Sequence, residues 1–203
     1  AELNPEQRSA AETIQGPVLI LAGAGSGKTR TLTYRIGHMV VNRGIPANKI
    51  LAVSFTNKAA QEMRERVRGL LGKSADKMTL STFHSLGVKI LRKEITKLGY
   101  SQQFSIFDTA DQLGVIREIL RNYNGGKSFD RKVIQQKISY LKNRAIGHDT
   151  FAQSPHFDSD SDYDLAIHHV YEEYHNRLMF FNAIDFDDIL FLLPSTFIFL
   201  DIE

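Results

Sequence analysis

Ala22-Gly23-Ala24-Gly25-Ser26-Gly27-Lys28-Thr29 is the stretch on which the fold of this chain turns. A continuous apolar run, Pro17-Val18-Leu19-Ile20-Leu21-Ala22, leads into it. A run of that length with Val and Ile reads as a strand buried on both faces, as in a parallel sheet. From Lys28 to about residue 42 the pattern is helical, with Leu32, Ile36, Met39 and Val40 on one side. Strand, glycine-rich turn, Lys-Thr and helix make the setting of a phosphate-binding loop, with Ala22 standing where the pattern has glycine. The glycines let the backbone wrap a phosphate chain so that several N–H groups point inward. The following helix N-terminus adds positive potential there. Lys28 is then expected to reach the β- and γ-phosphates, and the Thr29 hydroxyl to ligate Mg²⁺. These two are the candidate catalytic groups. The pattern specifies a nucleoside triphosphate, without saying which base or what work is done.

On the N-terminal side of this loop, residues 3–16 read as a short amphipathic helix, with Asn4 as cap, Pro5 at the first position and Gly16 as the stop. Residues 49–55 predict a second buried strand, 58–71 a helix, and 78–81 a third strand, with Thr82 opening another helix. This alternation is that of a doubly wound parallel sheet. It stops near residue 98. Helical patterns follow at about 109–123, 129–144 and 162–181, separated by a polar loop over 147–162, and a further helix is expected over 185–193. A helical module inserted into an α/β domain is the expected organisation.

The 203 residues are 42% hydrophobic and 24% charged with a net charge of +2, so the bulk numbers neither demand nor exclude a nucleic-acid partner. With no cysteine, disulfides and thiolate metal sites are impossible. No apolar run reaches the roughly 18–20 residues that span a bilayer, and the polar start, Ala1 to Arg8, has no signal-peptide core. A cytoplasmic protein without a membrane partner is expected. His156, Asp158, Asp160, Asp162 and Asp164 invite a metal reading, but the glycine and terminal glutamate of a calcium loop are missing, and a flexible acidic loop is expected instead.

Five motifs then occur in order: Leu3-Asn4-Pro5-Glu6-Gln7, the loop at 22–29, Val53-Ser54-Phe55-Thr56-Asn57-Lys58-Ala59-Ala60 with Glu62-Met63, Ser81-Thr82-Phe83-His84-Ser85, and Asp185-Phe186-Asp187-Asp188. Together they closely resemble the first motor domain of the Rep/UvrD/PcrA group of superfamily 1 DNA helicases, over about residues 3–193. The resemblance implies an α/β, P-loop NTPase (RecA-like) parallel sheet, incomplete at its C-terminal end, with an inserted all-helical subdomain. It implies a partial ATP-binding motor domain over 1–85 and 183–203, and an insertion over 86–182. It implies ATP with Mg²⁺ as cofactors and translocation from 3′ to 5′ on single-stranded DNA. Gln7 resembles the glutamine that reads adenine, and Arg30 a residue near the base. Phe55 resembles a base-stacking ring, with a core residue as the alternative. Thr56 and Asn57 resemble phosphate contacts, with a helix cap as the alternative for Thr56. Thr82 and His84 lie on a second loop expected near the DNA. The insertion is similar to a subdomain that contacts duplex DNA, but Arg131, Lys132, Lys137, Lys142 and Arg144 are explained almost as well by a solvated helix face.

The match breaks down where the family has an apolar strand ending in Asp-Glu, which supplies the magnesium carboxylate and the group orienting water. Here the chain closes with Pro194-Ser195-Thr196-Phe197-Ile198-Phe199-Leu200-Asp201-Ile202-Glu203. Either the chain stops short of that strand, or residues 197–200 form it and Asp201 or Glu203 substitutes for the missing acidic pair. A second motor domain is missing on either reading, so the isolated chain is expected to bind without unwinding. A GTPase would carry Asn-Lys-x-Asp, whereas Asn57-Lys58 runs into Ala59-Ala60. A truncated, non-catalytic DNA-binding or regulatory relative of a helicase remains the alternative.

Overall fold

Asn4 sets the start of the first helix: its side chain accepts the Gln7 N–H, while the Gln7 side chain accepts the Asn4 N–H, a reciprocal capping box. The structure is a computed structural model describing residues 3–23, 25–123 and 128–197. They fall into two units, divided between Ser85 and Leu86.

In the first unit α1 (Pro5–Glu12) packs on α2 (Lys28–Gly37), and the Arg35 guanidinium donates to the Ala10 carbonyl at 2.7 Å. The helix continues through a π-helical turn, His38–Asn42, and Gly44 ends it in a left-handed conformation. β1 (Leu51–Ser54), α3 (Asn57–Leu71) and β2 (Thr79–Thr82) form a parallel unit, with register from Leu51↔Thr79 to Ser54↔Thr82. Ile36, Ile50, Met63, Val67, Ala75 and Leu80 make its core. Burial of such a side chain stabilises by about 1.5–3 kcal/mol.

The expected strand over 17–22 is not formed. Leu19 is 83% exposed and Leu21 87%. An apolar run becomes a strand only where a neighbour offers both ladder bonds and an apolar face. Among the described residues β1 and β2 form a two-stranded sheet, and residues 17–22 pair with neither of its open edges. For the same reason Leu51, expected within a strand buried on both faces, stands 55% exposed.

α4 (Phe83–Glu94) leads into the second unit, where Leu91 and Ile95 pack with Tyr100, Phe104, Ile184 and Ile189. Three long helices follow at nearly the expected places: α5 (Thr109–Asn122), α6 (Arg131–Lys142) and α7 (Asp162–Phe180), capped by Asp108, Asp130 and Ser161. Their facing stripes bury Ile116, Ile134, Leu141, Val170, Tyr171 and Tyr174. Two three-residue strands, β3 (Ser105–Phe107) and β4 (Ala183–Asp185), pair in parallel; they are too short to leave a periodic signal. The helix expected over 185–193 instead begins in β4 and divides into α8 (Asp188–Phe191) and α9 (Leu193–Phe197). The chain is thus α/β, mostly helical, with short parallel strands. Phe197 closes α9, and Asp201 and Glu203 lie outside the described residues.

The loop over 147–162 is not purely polar: Phe151 within it is fully buried. The acidic alternation is partly tied down too. Asp164 accepts the Asp158 N–H at 3.0 Å and pairs with Lys137 at 3.3 Å. Lys142 is not on a solvated face but buried against Asp185 and Asp188 at 2.6 and 2.7 Å.

His175 stacks on His148 with ring centroids 4.3 Å apart. Burial, then the charges of His148 and Lys142, lower its pKa to about 4. The folded state therefore binds fewer protons than the unfolded chain as pH falls from the usual histidine value of 6.5 toward 4, and this group costs stability across that window. His175→Gln is expected to make the change in stability from pH 7 to pH 5 more favourable than in the unaltered chain, measured by urea unfolding at each pH. A change equal to that of the unaltered chain would refute this assignment.

Candidate nucleotide and DNA sites

The loop over 22–29 is shaped by two left-handed glycines, Gly25 at φ 76° and Gly27 at φ 84°. L side chains are disfavoured there, and Gly27 has a second constraint, because a Cβ would meet the Gln7 amide nitrogen at 3.0 Å. Gly27 is also the N-cap of α2, so the loop runs straight into a helix N-terminus whose first turn has no acidic residue. Ser26 closes the turn, its hydroxyl donating to the Gly23 carbonyl at 2.7 Å. The Lys28 ammonium folds back over the loop and donates to the Ala22 and Gly23 carbonyls, both at 2.8 Å. A cation, a positive helix end and glycine-permitted backbone therefore converge on one exposed turn. Ala24 lies outside the described residues. Thr29 is half-buried in the first turn of α2, and its carbonyl accepts the Thr33 hydroxyl at 2.8 Å.

Gln7 is brought to this loop from nineteen residues away, its amide donating to the Ser26 carbonyl at 2.9 Å. Arg30 sits one residue beyond Thr29, with its guanidinium 5.9 Å from the Tyr34 ring centroid.

The residues expected at DNA gather at the carboxyl ends of β1 and β2, the edge at which open parallel sheets bind ligands. Phe55 leaves β1 with its ring 90% exposed. The Thr56 hydroxyl caps α3, accepting the Ala59 N–H at 3.2 Å, and Asn57 is exposed beside it. Thr82 is buried, and its hydroxyl is engaged with Ser85, donating to Oγ at 2.8 Å and accepting the N–H at 3.1 Å. His84 is half-buried in the first turn of α4. Phe83 was not among the expected residues, yet its ring centroid lies 5.4 Å from that of Phe55. The signal available for it was a phenylalanine at the end of one predicted strand, Phe55, and another two residues beyond the end of the next, Phe83.

Within the Asp185-Phe186-Asp187-Asp188 segment, Asp185 and Asp188 form a buried ionic cluster, while Phe186 is exposed. Lys142 bonds both Asp185 and Asp188, and the Tyr174 hydroxyl donates to Asp185 at 3.0 Å. Burial would lower the Lys142 pKa, but the charges of Asp188 and Asp185 outweigh it and raise it. Burial would likewise raise Asp185, but Lys142 holds it below the usual carboxylate value. Asp188, fully enclosed and facing the Asp185 charge, is pushed up to about 6. Nothing in the sequence links Lys142 to these carboxylates, because the contact spans 43 residues.

Among the described residues no helix is long and apolar enough to cross a membrane. Residues 3–198 match the family described as UvrD/REP helicase N-terminal domain. The ATP-dependent DNA helicase PcrA of Bacillus subtilis is 44% identical over 189 residues, 93% of this chain and 25% of that protein. Proteins of the same description are 40% identical in Staphylococcus aureus and 39% in Staphylococcus epidermidis, each over 96% of this chain and 26% of the relative. The chain thus spans about a quarter of the length of these relatives. The match across nearly its whole length shows that this chain belongs to the UvrD/REP helicase N-terminal domain family.

Proposed function

We propose that the chain is the ATP-binding N-terminal part of an ATP-dependent 3′-to-5′ DNA helicase. The observation that carries this reading is the turn at 22–29, where two left-handed glycines, a helix N-terminus and the Lys28 ammonium converge. That donor set fits a polyphosphate: backbone N–H groups, a helix end and a cation all favour negative charge. Lys28, now bonded to the carbonyls of its own loop, would neutralise phosphate charge, and Thr29 would hold Mg²⁺. Bound Mg²⁺ would neutralise the charge that develops during phosphoryl transfer. Gln7 would read adenine; a carboxamide has two N–H groups and two acceptor lone pairs, so its bonds to Asn4 and Ser26 do not exhaust it. Arg30 would lie near the base.

In the same reading residues 1–85 and 183–203 belong to a RecA-like motor domain, and 86–182 to an inserted subdomain facing duplex DNA. Phe55, Thr56, Asn57, Thr82 and His84 would track single-stranded DNA. Phe55 is the best supported, since an aromatic ring 90% exposed beside Thr56 and Asn57 is suited to stacking a base. For Thr82 the support is position alone, because its hydroxyl already bonds Ser85. The chain assayed by itself is expected to bind nucleotide and single strands weakly and not to unwind duplex, since unwinding needs a second motor domain to close upon the first.

The test is titration of the chain with ATP and ADP in the presence of Mg²⁺. Lys28→Ala is expected to weaken binding about 10- to 100-fold, the loss of a charged hydrogen-bonding partner. An affinity that Lys28→Ala leaves unchanged would remove the loop from the nucleotide site.

A further inference from the structure

We propose that Phe83 is the second ring of a two-ring platform which, with Phe55, seats two consecutive bases of single-stranded DNA with their mutual stacking broken. The inference rests on the single-strand reading of the β1 exit and deepens it. The parallel register ends at Ser54↔Thr82, so Phe55 and Phe83 are the next residues to leave the two strands side by side. Their rings meet at 5.4 Å between centroids with planes inclined by 48°, and they stand 90% and 40% exposed.

That geometry decides how bases would sit. Stacked bases are parallel and about 3.4 Å apart. Two rings inclined by 48° cannot both lie flat on a stacked pair. Nor can one base slip between them, which needs about twice the 3.4 Å spacing. Each ring therefore takes one base on its outer face, and consecutive bases are turned out of register with each other. The occupant is a polyanion rather than an apolar peptide because of what surrounds the rings. Thr56, Asn57 and Lys58 are exposed beside Phe55, and neither α3 nor α4 has an acidic residue in its first turn. Stacking on phenylalanine is indifferent to base identity, as a sequence-independent track requires.

The experiment titrates the full chain into short thymidine oligonucleotides carrying one adjacent pair of 2-aminopurines, placed at each position in turn. Affinity is read by anisotropy and mutual stacking by the exciton circular dichroism of the pair. Phe55→Ala and Phe83→Leu are each expected to weaken binding about 5- to 100-fold. The exciton signal at one position is expected to vanish on binding to the unaltered chain and to persist with Phe83→Leu. Phe83→Trp is expected to restore both readouts. Leucine keeps apolar volume at the strand exit, and far-ultraviolet circular dichroism checks that the variant is folded. If Phe55→Ala weakens binding while Phe83→Leu leaves affinity and exciton loss unchanged, the two-ring platform is wrong and the single-strand reading stands. If the unaltered chain does not bind, or Phe55→Ala has no effect, the single-strand reading fails and takes the platform with it.

Discussion

Lys142→Met is expected to cost the second unit about 3–5 kcal/mol near neutral pH, the penalty of leaving a buried charge without its partner. The side chain is 4% exposed and holds Asp185 and Asp188 at 2.6 and 2.7 Å. Methionine keeps the apolar stem and deletes the ammonium, so two carboxylates face each other with only N–H groups and the Tyr174 hydroxyl for compensation. Urea unfolding followed by tyrosine signals reads the effect, because six of the seven tyrosines lie beyond residue 85. Adding Asp185→Asn and Asp188→Asn to Lys142→Met is expected to recover most of the loss, since a neutral buried triad has no unpaired charge. A loss below about 1 kcal/mol for Lys142→Met would mean that the cluster is solvated in solution.

The pH dependence of this cluster follows from the signs of the shifts. Asp188 titrates in the folded chain near 6, above the usual carboxylate value, so the folded state binds more protons between those two values. Its contribution therefore improves as pH falls from about 7 toward 4. Asp185 is held below the usual value, so its contribution is complete above that value and is lost as pH falls further. Lys142 is raised above 10.5, and its contribution is lost only as pH rises through the folded value. The cost of Lys142→Met should accordingly shrink between pH 7.5 and pH 5, where Asp188 can take up a proton. A cost that grows over this interval would contradict the assignment of Asp188 as the carboxyl that resists ionisation.

Phe151→Ala is the second large effect expected, about 3–5 kcal/mol for a fully buried aromatic. Its ring meets Phe157 edge-on at 5.3 Å and His168 at 6.4 Å, and Lys137 lies 5.8 Å from its centroid. It ties the connection between α6 and α7 to the core they share. Phe151→Leu, which keeps much of the volume, should cost less than about 1.5 kcal/mol. The same tyrosine-detected unfolding measures both. A small loss for alanine would show that the connection rides on the surface rather than anchoring the helices.

Much of the first unit was legible locally. Asn4 and Pro5 announce α1 because capping and the first-turn fit of proline are settled within four residues. Gly25, Gly27 and Lys28 announce the turn because only glycine accepts those backbone angles readily. The run over 17–22 misled because apolarity says a segment wants burial, not whether a partner strand is there to receive it. Thr56 could be read as a phosphate contact or as a cap; the structure shows the cap, in which the hydroxyl only accepts and keeps its proton to donate elsewhere.

By itself, then, the sequence determined the elements whose signals are short in range: the glycine turn with its lysine, the helix caps, and the three long helices of the second unit with their apolar stripes. The tertiary structure alone decided which distant groups meet. It set Gln7 against Ser26, Phe55 against Phe83, and Lys142 between Asp185 and Asp188. The physical reason is that caps and periodicity are fixed by neighbours a few residues away, whereas strand register and the desolvation that forces a buried charge to find a partner exist only once the chain has folded.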